Sequence, residues 1–277
     1  MIYNRPEYWL AKTETVVPYL TFSSPSSFTL AVGDATKHWD GTLEYSTDKT
    51  AWDTWDGTIA LSSATSGNKD VLYLRGTGNT KIGYYNADKD DYIPWTISGT
   101  DVRCDGNIET LLDYATVEAG QHPTMAEECF AGMFYGCTSL TQVPTLPATT
   151  LADFCYNSMF ADCTALTQVP SFPATTLAEG CCNSMFYGCT SLTQVPVLPA
   201  TTLATSCYLG MFRNCTSLKL STTQTDEYTQ EYRIPSSGTG TTATNALTNM
   251  FFSTGGTFKG TPEINTTYYL SNTNSVV

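Results

Sequence analysis

Four stretches of this chain repeat one another at a fixed interval of 26 residues, and that spacing constrains the fold more than any other feature. Cys129, Cys155, Cys181 and Cys207 recur at this interval, as do Cys137, Cys163, Cys189 and Cys215. The same register carries Met133-Phe134, Met159-Phe160, Met185-Phe186 and Met211-Phe212, the leucines Leu140, Leu166, Leu192 and Leu218, and the prolines Pro144, Pro170 and Pro196. A unit this short cannot enclose a core alone. The copies must stack and share one.

Within a unit, Leu-Thr-Gln-Val-Pro reads as a short strand ended by proline, which has no N–H to continue a ladder. Ala148-Thr149-Thr150 then offers an N-cap, and Leu151, Cys155 and Met159 fall at i, i+4 and i+8, which predicts a short helix. Stacked units would lay their strands side by side as a parallel sheet. After Leu220 the register breaks. Residues 221–244 are rich in Ser, Thr and Gly, and Met250-Phe251, Phe258 and Pro262 then read as one more degenerate copy. Such an atypical last unit is expected of a cap, with Tyr268-Tyr269-Leu270 as a final edge strand.

The blocks Met-Phe-x-x-Cys-Thr-Ser-Leu-Thr-Gln-Val-Pro and Leu-Pro-Ala-Thr-Thr-Leu-Ala, between about Met125 and Leu220, resemble the BspA-like (Treponema pallidum-type) leucine-rich repeats. Those repeats occur on surface proteins of gut and oral bacteria and in their phages. The commonest version has a shorter unit, with Ile-Pro and Ala-Phe where this chain has Val-Pro and Met-Phe. The resemblance implies a solenoid whose surface serves adhesion or receptor contact.

Before the repeats, Tyr19–Phe22, Ser27–Val32, Thr42–Ser46, Val71–Arg75 and Lys81–Tyr85 read as strands separated by Gly/Asp turns. The segment Trp39–Asp48 resembles a small β module that precedes such repeats in the same surface proteins. The expected fold class is therefore mixed: an N-terminal antiparallel β-sandwich followed by an α/β leucine-rich-repeat solenoid. Its divisions are an arm over 1–18, the sandwich over 19–100, a junction and cap over 101–124, repeats over 125–220, and a degenerate repeat with C-terminal cap over 221–277. The arm carries Tyr3, Tyr8 and Trp9, aromatic groups expected to dock on the sandwich or on another subunit of an assembly.

Thirteen Lys+Arg against 26 Asp+Glu give a net charge of −13, and no basic cluster exists to meet phosphates, so nucleic acid is disfavoured. Charged residues are only 14% of the chain, while threonine fills roughly one position in six, so the surface must be largely neutral and hydroxyl-rich. No export signal and no membrane span can be read. The ten cysteines read as free, buried thiols, although ladder spacing alone would allow bridges; Cys182 is expected off the ladders and outward. No CxxC pair offers a zinc site, and no metal or cofactor is expected.

The two histidines, His38 and His122, fall in different segments, and His122 reads as a cap residue rather than a base. Asp40, Asp48, Asp53 and Asp56 lie among Trp39, Trp52 and Trp55. They read as hairpin carboxylates beside core tryptophans, with a carbohydrate platform as the reading if the rings are exposed. Asp88, Asp90 and Asp91 lack a full calcium-loop pattern. The stronger binding candidates are the outward strand positions Thr141, Gln142, Thr167, Gln168, Thr193 and Gln194, which also suit a structural ladder.

The expected function is non-enzymatic surface display: a phage virion appendage, of head or tail fibre type, meeting a host receptor or glycan through the repeats. It would be multi-copy or homo-oligomeric and bound to other virion proteins through its arm. A bacterial cell-surface adhesin is the alternative, and an enzyme acting on glycans is the remote one.

Overall fold

A computed structural model describes residues 17–86 and 91–277. The first third is built from β1 (Leu20–Ser24), β2 (Thr29–Val32), β3 (Thr42–Ser46), β4 (Asp53–Trp55), β5 (Leu61–Ser62), β6 (Ala64–Ser66), β7 (Lys69–Thr77), β8 (Tyr85–Asn86), β9 (Asp91–Tyr92), β10 (Trp95–Ser98) and β11 (Val102–Asp105). One helix, α1 (Thr110–Glu118), follows, with Asp113 in an extended conformation inside it. The remaining strands are β12 (Leu140–Gln142), β13 (Gln194–Val195), β14 (Leu220–Ser221), β15 (Tyr228–Arg233), β16 (Thr267–Ser271) and β17 (Ser275–Val276).

A seven-stranded sheet runs β12-β11-β1-β7-β3-β4, with β6 also on β7, and a three-stranded sheet runs β10-β2-β5. Alternation along β1 and β7 turns Leu20, Phe22, Leu72 and Leu74 inward, where Leu30 and Trp95 of the smaller sheet meet them in one buried cluster. Gly76 of β7 lets α1 approach: a Cβ there would stand 1.7 Å from the Leu111 carbonyl oxygen. The region is not a free-standing sandwich. The larger sheet takes β12 from the first repeat, and Trp95 and Phe22 meet Phe134 of that repeat at centroid distances of 6.1 and 6.2 Å. Of the expected strands, Lys81–Tyr85 is not one, except at Tyr85.

The α/β solenoid expected from the repeats is not formed. No copy contains a helix, and α1 is the only helix among the described residues. Apolar residues recur at every fourth position in each unit, which in isolation mimics a helical face. The backbone instead runs as consecutive turns, with a left-handed residue at every fourth position: 128/132/136, 154/158/162, 180/184/188, 206/210/214 and 245/249/253. Gly, Ser and Asn fill twelve of these fifteen places. Glycine has no Cβ to clash there, and short polar side chains tolerate the conformation through local hydrogen bonds.

Backbone amides alternate between two uses. Ala131, Met133, Tyr135 and Cys137 donate three residues back within their own copy, while Glu128, Phe130, Gly132, Phe134 and Gly136 donate to carbonyls of the next copy. Five such inter-copy bonds, 2.7–3.0 Å long, recur at each of four boundaries, the last reaching residues 244–252. Every second N–H is thus committed sideways, which an α-helix forbids.

Nor do the Leu-Thr-Gln-Val-Pro segments form a continuous parallel sheet. The first gives β12, which joins β11; the third gives β13, which pairs with β17; the second is no strand at all. A single backbone bond, Thr193 N–H to the Thr167 carbonyl at 3.1 Å, links copies two and three on this side. The prolines remove the donors that a longer ladder needs.

The shared core is stacked in register. Phe134, Phe160, Phe186, Phe212 and Phe251 form a column with centroids 5.6–5.7 Å apart and planes within 13°. A second column, Phe130, Tyr156 and Tyr208, is interrupted at Cys182, which is fully buried rather than outward. Phe172, standing where the other copies have Leu146 and Leu198, places its ring edge-on between Tyr156 and Tyr208, at 6.5 and 6.4 Å. The small residue and the large one compensate across the shared core.

Candidate functional site

The sequence-derived binding positions divide on exposure. Thr141 donates to Asp101 (2.7 Å) and Gln142 is held by Asp105 and Arg103, so the first pair is tied to β11. Gln194 lies in the β13–β17 pair, and the Thr193 hydroxyl donates to the Thr167 carbonyl at 3.2 Å. Thr167 and Gln168 are exposed, and their side chains have no partner among the described residues. Between residues 129 and 218 the charged residues are Asp153, Asp162, Glu179 and Arg213.

The tryptophans do not form one platform. Trp39 and Trp55 are buried, 5.2 Å apart, with Trp95 edge-on to Trp55. Trp52 is half-buried outside the sheet, where the Arg75 guanidinium lies 4.1 Å from its ring and 4.3 Å from Tyr114 while Nε donates to Glu44. The nearby carboxylates hold turns. Asp48 accepts the N–H groups of Thr50 and Ala51, which keep it well below its ordinary value; Asp56 accepts from Thr58, and Asp40 from Thr80. Tyr3, Tyr8, Trp9, Asp88 and Asp90 lie outside the described residues.

All ten cysteines are free and buried. One ladder donates its thiols to carbonyls: Cys163, Cys189 and Cys215 to Phe134, Phe160 and Phe186 at 3.0–3.1 Å, and Cys137 to Trp95. Burial pushes Cys137 up to about 12, so these thiols are poor nucleophiles.

Each histidine has a carboxylate partner. On His38, Asp34 and Thr36 both meet the same ring nitrogen, Nε2, so no relay runs across the ring. His122 Nδ1 lies 2.8 Å from Glu109 Oε2. The Glu109 side chain is 1% exposed, its Oε1 has no partner, and burial raises its pKa against the opposing His122 hydrogen bond. This pair, with Met125, Thr149, Thr150 and Leu151, lines a cavity of about 320 Å³ where the residue before α1 and the loop after it meet the first copy. Among the described residues the hydrogen-bond partner of the His122 ring is Glu109, and no hydroxyl or thiol is hydrogen-bonded to it. No sequence signal singled out Glu109, because its burial depends on the first repeat closing over it.

Among the described residues no group of His, Cys, Asp and Glu could hold a metal ion, and no helix is long and apolar enough to cross a membrane. Set against protein-family models, curated proteins and solved structures, the chain matches none of them.

Proposed function

We propose that the chain is a non-enzymatic surface-display protein, a virion appendage that meets a host receptor or glycan through its repeats and is held in a multi-copy assembly through residues 1–18. The observation that carries this is the neutral hydrogen-bonding surface around Thr167, Gln168 and Ser171, exposed side chains on a framework cross-bonded five times per copy. Uncharged hydroxyls and amides suit recognition of sugar hydroxyls, which combine donor and acceptor. The resemblance of the repeat blocks to those of bacterial and phage surface proteins supports the same reading.

The test is a glycan array probed with the purified full chain and with a Thr167→Glu/Gln168→Glu variant. Binding that the variant loses while keeping its melting temperature supports the proposal. Failure to bind any glycan or host-cell surface overturns it, as does binding that survives the double substitution. Release of cleaved sugar would instead identify an enzyme.

A further inference from the structure

At the Ala-Thr-Thr-Leu corner, a parallel bridge joins the backbones of copies one and two, and another joins copy three to the segment that follows the repeats, while copies two and three are not bridged there. Thr150 is bridged to Thr176, through Leu151 N–H to the Thr176 carbonyl at 3.0 Å and Thr176 N–H to the Thr149 carbonyl at 3.1 Å. Thr202 is bridged to Thr241 in the same way. The far end of this ladder is closed by a side-chain amide: Asn265 Oδ1 accepts the Gly240 N–H at 2.7 Å, and Nδ2 donates to the Gly240 carbonyl at 3.0 Å. An amide group therefore completes the ladder where no further copy exists.

The near end is open. In an extended chain, successive residues direct their N–H and C=O to opposite sides. The Thr149 carbonyl and Leu151 N–H face copy two, so the N–H and C=O of Thr150 face the other way, into the cavity beside Glu109 and His122. Neither group has a partner among the described residues. The same cavity is walled by Met125 and Leu151 and by the buried Glu109 carboxylate with its unpartnered oxygen.

We propose that this cavity is a binding site for an extended peptide, which bridges to Thr150 as Thr176 bridges to its other side. The occupant is identified by continuity with the interface between copies: two successive peptide units, spaced to accept from Thr150 N–H and donate to its carbonyl, carrying small side chains. A volume of about 320 Å³, open to solvent on the side of the exposed Thr149 and Thr150, admits a short segment of small residues. Backbone bonds supply the affinity, as in strand addition generally. This site lies apart from the Thr167/Gln168 surface and does not depend on the glycan reading.

The probe is the capped hexapeptide acetyl-Pro-Ala-Thr-Thr-Leu-Ala-amide, titrated into the full chain and followed by amide NMR and hydrogen exchange. Binding should shift the resonances of Thr149–Leu151 and His122 and slow exchange at Thr150. A peptide N-methylated at its second threonine or its leucine loses one donor and should bind roughly three- to tenfold more weakly. Because the protein is unchanged in that comparison, misfolding cannot produce the result. Thr150→Pro, which deletes the N–H, should weaken the unmodified peptide by a similar factor. Shifts confined to other surfaces, no binding, or equal affinity of every N-methylated peptide would each overturn the proposal.

Discussion

The pairing of Phe172 with Cys182 makes a double substitution the sharpest test of how the copies share their core. The Phe172 ring occupies the space between Tyr156 and Tyr208 that a ring at position 182 would take. Cys182→Phe alone forces a ring into filled volume, which costs about 1–3 kcal/mol. Phe172→Leu alone removes two edge-on aromatic contacts, worth about 0.5–1.5 kcal/mol each, and costs about 1–3 kcal/mol in total. Independent effects would give the double variant a loss of about 2–6 kcal/mol. Sharing of one volume instead returns the double variant to within about 1 kcal/mol of the parent, because it restores the leucine and ring arrangement of the first copy. Urea unfolding followed by the buried tryptophans and by circular dichroism measures all four corners of the cycle, and melting temperature should follow at about 2–4 °C per kcal/mol. A double variant that loses the full sum refutes the reasoning.

Two further outcomes follow from burial. All ten thiols should be silent to an aromatic disulfide reagent in the native protein and react on unfolding in denaturant; rapid labelling of several native thiols would contradict the buried ladders. Glu109 is held above its ordinary value of 4.5 by burial, so the folded state retains a proton that the unfolded state releases as pH rises. Stability should therefore fall with rising pH between the unfolded and folded pKa, and Glu109→Gln should remove that part of the slope in urea midpoints measured against pH; an unaltered slope contradicts it.

The stacking of copies was legible in the sequence because any residue repeated in register must repeat in space. Their backbone conformation was not. Leu151, Cys155 and Met159 satisfy a helical spacing, and only the drift of a true 3.6-residue period separates that from a strict period of four. The discriminating signal was present in the residues between: Gly132 and Gly136, and Asn245 and Asn249, recur four apart, and Gly180, Ser184 and Gly188 continue the same step, at places where a helix would disfavour them and a left-handed turn selects them. Cys182 was misplaced for a related reason. Its register matches Phe130 and Tyr156, but its partner in volume, Phe172, is ten residues away and meets it only after stacking. The Glu109 cavity depends on Glu109 and the loop at His122–Met125 meeting the first copy at Ala148–Ala152, an encounter no local pattern encodes.

Register stacking also explains why the repeats carry so little charge, and it changes what neutrality means. A charge at a repeated position would face its own copies about 5.6 Å away, the spacing of the phenylalanine column. Two like charges at that distance repel by about 1–3 kcal/mol before salt screening. The charges present avoid this: Asp162 has Gly136 and Gly188 at its register, and Arg213 lies between Tyr187 and Phe252. Where like charges do adjoin, at Asp153 and Glu179, Asp153 accepts the Glu179 backbone N–H at 2.9 Å. Stacking thus favours uncharged side chains at the repeated exposed positions, a preference that adds to any ligand's, and differences in recognition between copies are to be sought at the positions that vary, such as Thr145, Ser171 and Val197. The consequence is measurable. Thr167→Lys should change stability by less than about 0.5 kcal/mol, as should Thr193→Lys, whereas the pair together should lose about 1 kcal/mol more than their sum at low salt and recover it at high salt. Salt-independent additivity would show that these neighbours are too far apart to repel, and the neutrality of the repeats would then need selection by a ligand to explain it.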